Sequence, residues 1–219
     1  MASIVQCQYA SGNSVSITPT VGHSLIVFSF VNASGGSWGT PSDGHNTYTA
    51  RGTPRNNGAL FGNWFDSLAI ATGGALTVTT GRTGGTVAGS ALYVFEIAPA
   101  GVLAFDIDGS AANNTGAPTT ASFTPAGAGE LILACAAALA SFVSFTAGTG
   151  FTLQRTDGWG LGGTTDGAGA EYVLSGASGA QTAAFGPSQS AAWAIGTLAY
   201  TDTVTPGSVP PQLMRRGLS

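Results

Sequence analysis

The chain has 219 residues with six basic and ten acidic side chains, a net charge of −4. All six basic residues are arginine, and Arg51, Arg55, Arg82 and Arg155 are scattered, so no clustered face exists to neutralise phosphates and no nucleic-acid binding is expected. Apolar residues make up 43% and charged residues 7%, which excludes a disordered chain, while 34 glycines and ten prolines without a helical period point to short strands and tight turns.

The opening residues, Met-Ala-Ser-Ile-Val-Gln-Cys, have neither a charged n-region nor an apolar h-region, so no signal peptide is expected. Val5, Cys7 and Tyr9 then alternate with Gln6 and Gln8, the period of a half-buried strand, and Val15 and Ile17 repeat the device. Gly22 introduces residues 25–31, apolar almost throughout, as an inner strand covered on both faces would be. Residues 32–44 contain Gly35-Gly36, Pro41 and Asp43-Gly44 and read as a loop. A strand at 47–51, a hairpin turn at Asn57-Gly58 and an aromatic strand within 59–70 follow. Gly73-Gly74 makes a turn before Leu76 and Val78, and residues 91–98 close the half around the single charge of Glu96.

The second half reuses this order. Thr18, Pro19, Leu25 and Ile26 recur as Thr124, Pro125, Leu131 and Ile132, each 106 residues on, a spacing of domain length rather than of a solenoid repeat. Leu103, Phe105 and Ile107 alternate with Ala104, Asp106 and Asp108, and Ala121 and Phe123 with Thr120 and Ser122. The run 131–140 is the inner strand, too short to span a bilayer, so no membrane is expected. Gly179-Ala180 answers Gly74-Ala75, and Ser190-Ala191 with Trp193 answers Ser90-Ala91 with Tyr93. About seven strands per half, separated by turns, predict an all-β chain of two related antiparallel β-sandwich halves, with jelly-roll or Greek-key connectivity, at 1–100 and 101–201. The pattern does not separate two sandwiches side by side from one merged sandwich; two side by side is the expectation. Residues 202–219 form an extended Pro-rich arm, held open by Pro206, Pro210 and Pro211. Its apolar Leu213, Met214 and Leu218 flank Arg215 and Arg216, a set suited to a groove on a neighbouring subunit; the alternative is a floppy terminus.

Chemistry is sparse. His23 and His45 have no Gly-x-Ser-x-Gly elbow near them, although Asp43 and His45 are close enough to meet. Two histidines and two cysteines that are far apart make no zinc set, and Cys7 and Cys135 read as two separate buried thiols rather than a bridge. Asp106-Ile107-Asp108-Gly109-Ser110 begins like a calcium loop but position 117 is Ala, so two solvated carboxylates before a turn account for it. Glu96, Glu130 and Glu171 offer no spacing that selects a glycosidase pair. No enzyme activity, metal or cofactor is therefore expected. Trp38 and Trp159 lie in glycine-rich segments, where a ring is free to stack on a sugar or enter a partner's pocket, or else folds back to cap the sandwich.

Gly44-His45-Asn46-Thr47-Tyr48-Thr49, residues 73–79, 103–109 and 147–152, and the closing Trp193 strand together resemble a recurring type of bacteriophage and bacterial β-sandwich protein. The resemblance covers residues 10–201 and carries no catalytic residues. It implies a virion structural protein: a head decoration or cement protein, or part of a tail or fibre, located in the virion. Contacts would be with other virion proteins and with copies of itself, and a carbohydrate-binding module is the alternative.

Overall fold

The structure, a computed structural model, describes residues 1–34, 37–83, 86–139, 144–159, 166–187 and 190–204. It is all-β. In chain order the first half gives β1 (Ser3–Ser11), β2 (Ser14–Ile17), β3 (Ser24–Ser34), β4 (Ser37–Ser42), β5 (Thr49–Asn56), β6 (Leu60–Ser67), β7 (Leu76–Thr83) and β8 (Thr86–Ala98). The second gives β9 (Val102–Asp108), β10 (Ala111–Asn113), β11 (Glu130–Leu139), β12 (Phe145–Thr146), β13 (Thr152–Trp159), β14 (Asp166–Gly176), β15 (Gly186–Pro187) and β16 (Ala192–Thr203). All pairings are antiparallel, and among the described residues no strand of one half pairs with a strand of the other.

The strand orders match. The first half's large sheet runs β1-β8-β3-β6-β5 and the second half's runs β9-β16-β11-β14-β13, with β10 continuing the edge that β9 begins along β16. A smaller sheet, β2-β7-β4, covers the first large sheet. Its counterpart is thinner: the β12-β15 pair and two isolated bridges, Thr119 to Ala184 and Phe123 to Gln181. β1 pairs β8, β2 pairs β7 and β3 pairs β6, nested as if one long hairpin had been rolled up, which is jelly-roll connectivity.

Residues 32–44, read as a loop, contain β4 at the edge of the small sheet. The edge position admits Pro41, which has no N–H to donate, and a register shift lies between Trp38 and Pro41. Conversely, residues 120–123, read as a strand, make only the isolated bridges.

Among the described residues four buried clusters arise from the alternation of the two inner strands, the smallest joining Ile132 of β11 to Phe123 and Ala199. Ile26, Phe28 and Phe30 of β3 share a central core with Leu131, Leu133, Cys135 and Ala137 of β11. The intervening Leu25 and Val27 pack with Val15, Ile17, Leu76 and Val78 of the small sheet. Ala134, Ala136 and Ala138 face outward to Phe145, Phe185, Trp193 and Ile195. Each inner strand is thus buried on both faces, which is why it is apolar throughout, and the two large sheets stack face to face in a four-layered body. Trp64 fills the middle of the central core, fully buried, with ring centroids 5.6 Å from Phe28 and 5.3 Å from Phe30. A Cβ on Gly196 of β16 would stand 2.7 Å from that ring, so glycine is what lets β16 approach it.

Faces correct the sequence register. Leu25 points to the outer core and Leu131 to the central one, although identity matches them 106 residues apart. Glycines of equal conformation, Gly22 (φ 85°) and Gly129 (φ 86°), precede the two inner strands and are 107 apart, an odd offset that also aligns the faces. Likewise Tyr93 faces the central core and Trp193 the outer one, so the two are not counterparts.

Candidate functional site

Trp159, read either as a ring free to stack or as one that folds back on the sandwich, ends β13 and is only 2% exposed. Its indole packs in the central core and its Nε1–H donates to the Gly167 carbonyl at 2.9 Å, so both its apolar face and its polar edge are used internally. Trp38 lies in β4 opposite Arg82, and its side chain lies outside the described residues. Leu213, Met214, Arg215, Arg216 and Leu218 lie outside them too.

The structure assembles two clamps at opposite rims of the central core, built alike with the halves exchanged. In the first, Arg51 Nε donates to Asp66 Oδ2 at 2.7 Å, and the hydroxyl of Tyr200, from the other half, donates to the same oxygen at 3.2 Å. The Arg51 guanidinium lies 5.1 Å from the centre of the Phe105 ring, which packs edge-on against Tyr200. In the second, Arg155 makes a two-point bond to Asp157, 2.7 Å at each contact, and Tyr93 of the first half donates to Asp157 at 3.0 Å. Arg155 lies 5.3 Å from the centre of the Tyr9 ring, itself packed on Tyr93. Arg155 Nη1 also reaches the Cys7 carbonyl, and the Tyr9 hydroxyl the Gly158 carbonyl.

Fully buried tyrosines need a partner for the hydroxyl, and here each finds a carboxylate across the seam. Burial lifts the Asp66 carboxyl above the usual carboxylate range, against the pull of Arg51. A third contact, Arg55 to Asp108 at 3.9 Å, crosses the same seam. Three of the arginines that look scattered in sequence, Arg51, Arg55 and Arg155, thus lie along one interface inside the molecule.

Other carboxylates are fastening points. Glu96, 1% exposed, accepts from Gln6 Nε2 at 2.6 Å, the Thr20 N–H at 2.8 Å and His23 Nδ1 at 2.6 Å. Burial works against its charge, but those bonds outweigh it and hold the carboxyl below its usual range. Asp43 and His45 do meet, but through the His45 backbone N–H; Asp43 also accepts from the Asn46 N–H, Asn46 Nδ2 and the Tyr48 hydroxyl. That knot explains the Asp-Gly-His-Asn-Thr-Tyr turn as an Asx-type motif. Asp106 accepts the Ala126 N–H and Glu130 the Gly127 N–H, tying down the stretch before β11. Glu171 Oε2 accepts the Gly148 N–H at 2.7 Å, while Oε1 makes no hydrogen bond among the described residues, and burial pushes this carboxyl up to about 7.

The thiols are unbridged, and burial pushes Cys7 up to about 12 and Cys135 well above its usual value, the environment of inert rather than reactive cysteines. Among the described residues no three His, Cys, Asp or Glu converge as metal ligands, and no helix is long and apolar enough to cross a membrane. The ionisable groups so placed join strands and loops; their chemistry is that of hydrogen-bonded fasteners. The clamps escaped the sequence reading because their partners are far apart, Asp66 and Tyr200 by 134 residues; the only signal was a tyrosine in each closing strand where an aliphatic residue would serve. No family model matches the chain, and no curated protein or solved structure is significantly similar to it.

Proposed function

We propose that the protein is a non-enzymatic structural subunit of a virion, a capsid decoration or cement protein, made of two copies of one jelly-roll unit joined in tandem. The observation that carries this reading is the use of the charges: Asp66 and Asp157, each paired with an arginine of its own half, accept a tyrosine hydroxyl from the other half, and Arg55 reaches Asp108 across the seam. Such a chain is a rigid brick with a surface poor in charge, suited to passive contact rather than to turnover. Jelly rolls are recurrent in capsid and lectin domains, an analogy of fold that supports the reading without specifying a partner. Residues 205–219 supply the docking arm, with Leu213, Met214 and Leu218 as anchors and Arg215 and Arg216 for an acidic rim.

The test is the solution mass by light scattering, and co-sedimentation with phage shells, of the full chain and of a chain ending at Val204. The reading predicts a defined oligomer or shell binding that truncation abolishes. Indifferent monomers that sediment with no virion particle would refute it.

A further inference from the structure

The geometry points to a binding site for a neutral saccharide in the mouth of the first sandwich, between β1 and β2. These are the edge strands of the large and the small sheet on the same side of the half. A bulge at Val5 turns Ile4 and Cys7 toward the central core and leaves Gln6 and Gln8 on the outer face, where the sandwich would otherwise close with apolar side chains. A cavity of about 260 Å³ opens there instead. That is below the roughly 300 Å³ at which drug-sized pockets begin, and it suits a monosaccharide or small disaccharide.

Its lining is polar and holds no ionisable side chain. Gln6 is fixed from behind: its Nε2 donates to both Glu96 and the Thr18 carbonyl, and its Oε1 accepts from Gln8 Nε2 at 2.9 Å. Both N–H bonds of Gln6 are therefore used, whereas Gln8 keeps one N–H and both lone pairs of its carbonyl oxygen. Ser16 and Thr77, directly paired across β2 and β7, and Thr18 line the cavity with hydroxyls that make no hydrogen bond among the described residues. Ile17 and Leu76 supply an apolar floor.

The cavity thus offers a fixed pair of amides and three free hydroxyls that both donate and accept, over a small apolar patch, with no ionisable side chain in its lining to hold an ion. A sugar ring has the complementary surface: hydroxyls that donate and accept around a C–H face. Glu96 is not part of the lining and offers a ligand no acceptor, because its oxygens are occupied by Gln6, Thr20 and His23. The site is independent of the virion reading; shell binding and sugar binding share no readout, so either can fail alone.

The experiment is an NMR titration of the full chain with glucose, galactose, N-acetylglucosamine, maltose and lactose. At least one sugar should move the side-chain amide signals of Gln6 and Gln8 and the backbone signals of Ser16 and Thr77, saturably and without dependence on salt. Gln8→Ala and Ser16→Ala, whose own spectra report folding, should each weaken that binding about tenfold, the loss of one or two hydrogen bonds. The proposal is overturned if no sugar moves these signals, if the shifts survive both substitutions, or if only glucuronate binds. An extended Ser/Thr peptide that saturates the same signals when the sugars do not would equally overturn it, and would reassign the cavity to strand addition.

Discussion

At Glu171 a carboxylate replaces what the first half builds from hydrocarbon. Phe65, Val27 and Val94 form an apolar row across the first large sheet; the corresponding row in the second is Glu171, Ala134 and Thr197, and neither Glu171 Oε1 nor Thr197 Oγ1 is hydrogen-bonded among the described residues. Burial lifts this carboxyl from 4.5 to about 7. The folded chain therefore holds a proton that the unfolded chain releases between those values, so stability falls as pH rises through that window and levels off above it. The shift corresponds to about 3 kcal/mol. Glu171→Gln should remove that slope and leave the protein more stable than the parent at pH 8, as read by urea denaturation at several pH values; a variant with unchanged slope would contradict the assignment. Asp43 has the opposite sign, because the bonds from Asn46, His45 and Tyr48 overcome its burial and hold the carboxyl below its usual range. Asp43→Ala should cost about 2 kcal/mol at neutral pH. The difference from the parent should shrink on acidification below the usual carboxylate range, in the same denaturation series.

At the level of elements, β3 and β11 show what alternation can and cannot reveal. Strands with one polar face, β1, β2 and β7, were legible from period two, and the glycine turns before β3 and β11 from their residues. An inner strand that is apolar on both faces announces two coverings but not which surfaces provide them, so the face-to-face stacking of the large sheets had no sequence signal. Matching by identity then slipped the halves by one residue, because Leu-Ile followed by further aliphatic residues looks the same in either register. β4 was hidden by its Ser, Gly and Pro content, which only an edge strand tolerates. The candidate site fared similarly: the loop tryptophans were visible, but whether a ring such as Trp159 turns inward depends on a core contributed by both halves. Packing at the contact of β16 with β6 gives a direct prediction. Gly196→Ala would force its methyl group onto Trp64, a ring already held by Phe28 and Phe30, and should destabilise by about 1–3 kcal/mol with a lowered thermal midpoint. Ala194→Gly, on the same strand and face, adds no atoms and should leave the Trp64 fluorescence environment intact, separating a clash from a general weakening of β16.

At the scale of the whole molecule, the two jelly-roll halves make one body, although among the described residues no strand pairs between them. The shared core joins Phe28 and Trp64 to Leu133 and Leu198, and the clamps close it at both rims with partners drawn from each half. Neither half can open alone without exposing that core to water and leaving a buried aspartate without its tyrosine. The measurement that tests this most directly is native-state hydrogen exchange in increasing urea, following the slowest amides of β3 and β11. One cooperative body predicts that both sets exchange through a single opening, with the same free energy and the same urea dependence. If β11 exchanged through an opening that left β3 protected, or the reverse, the halves would be separate units and the four-layered account would be wrong.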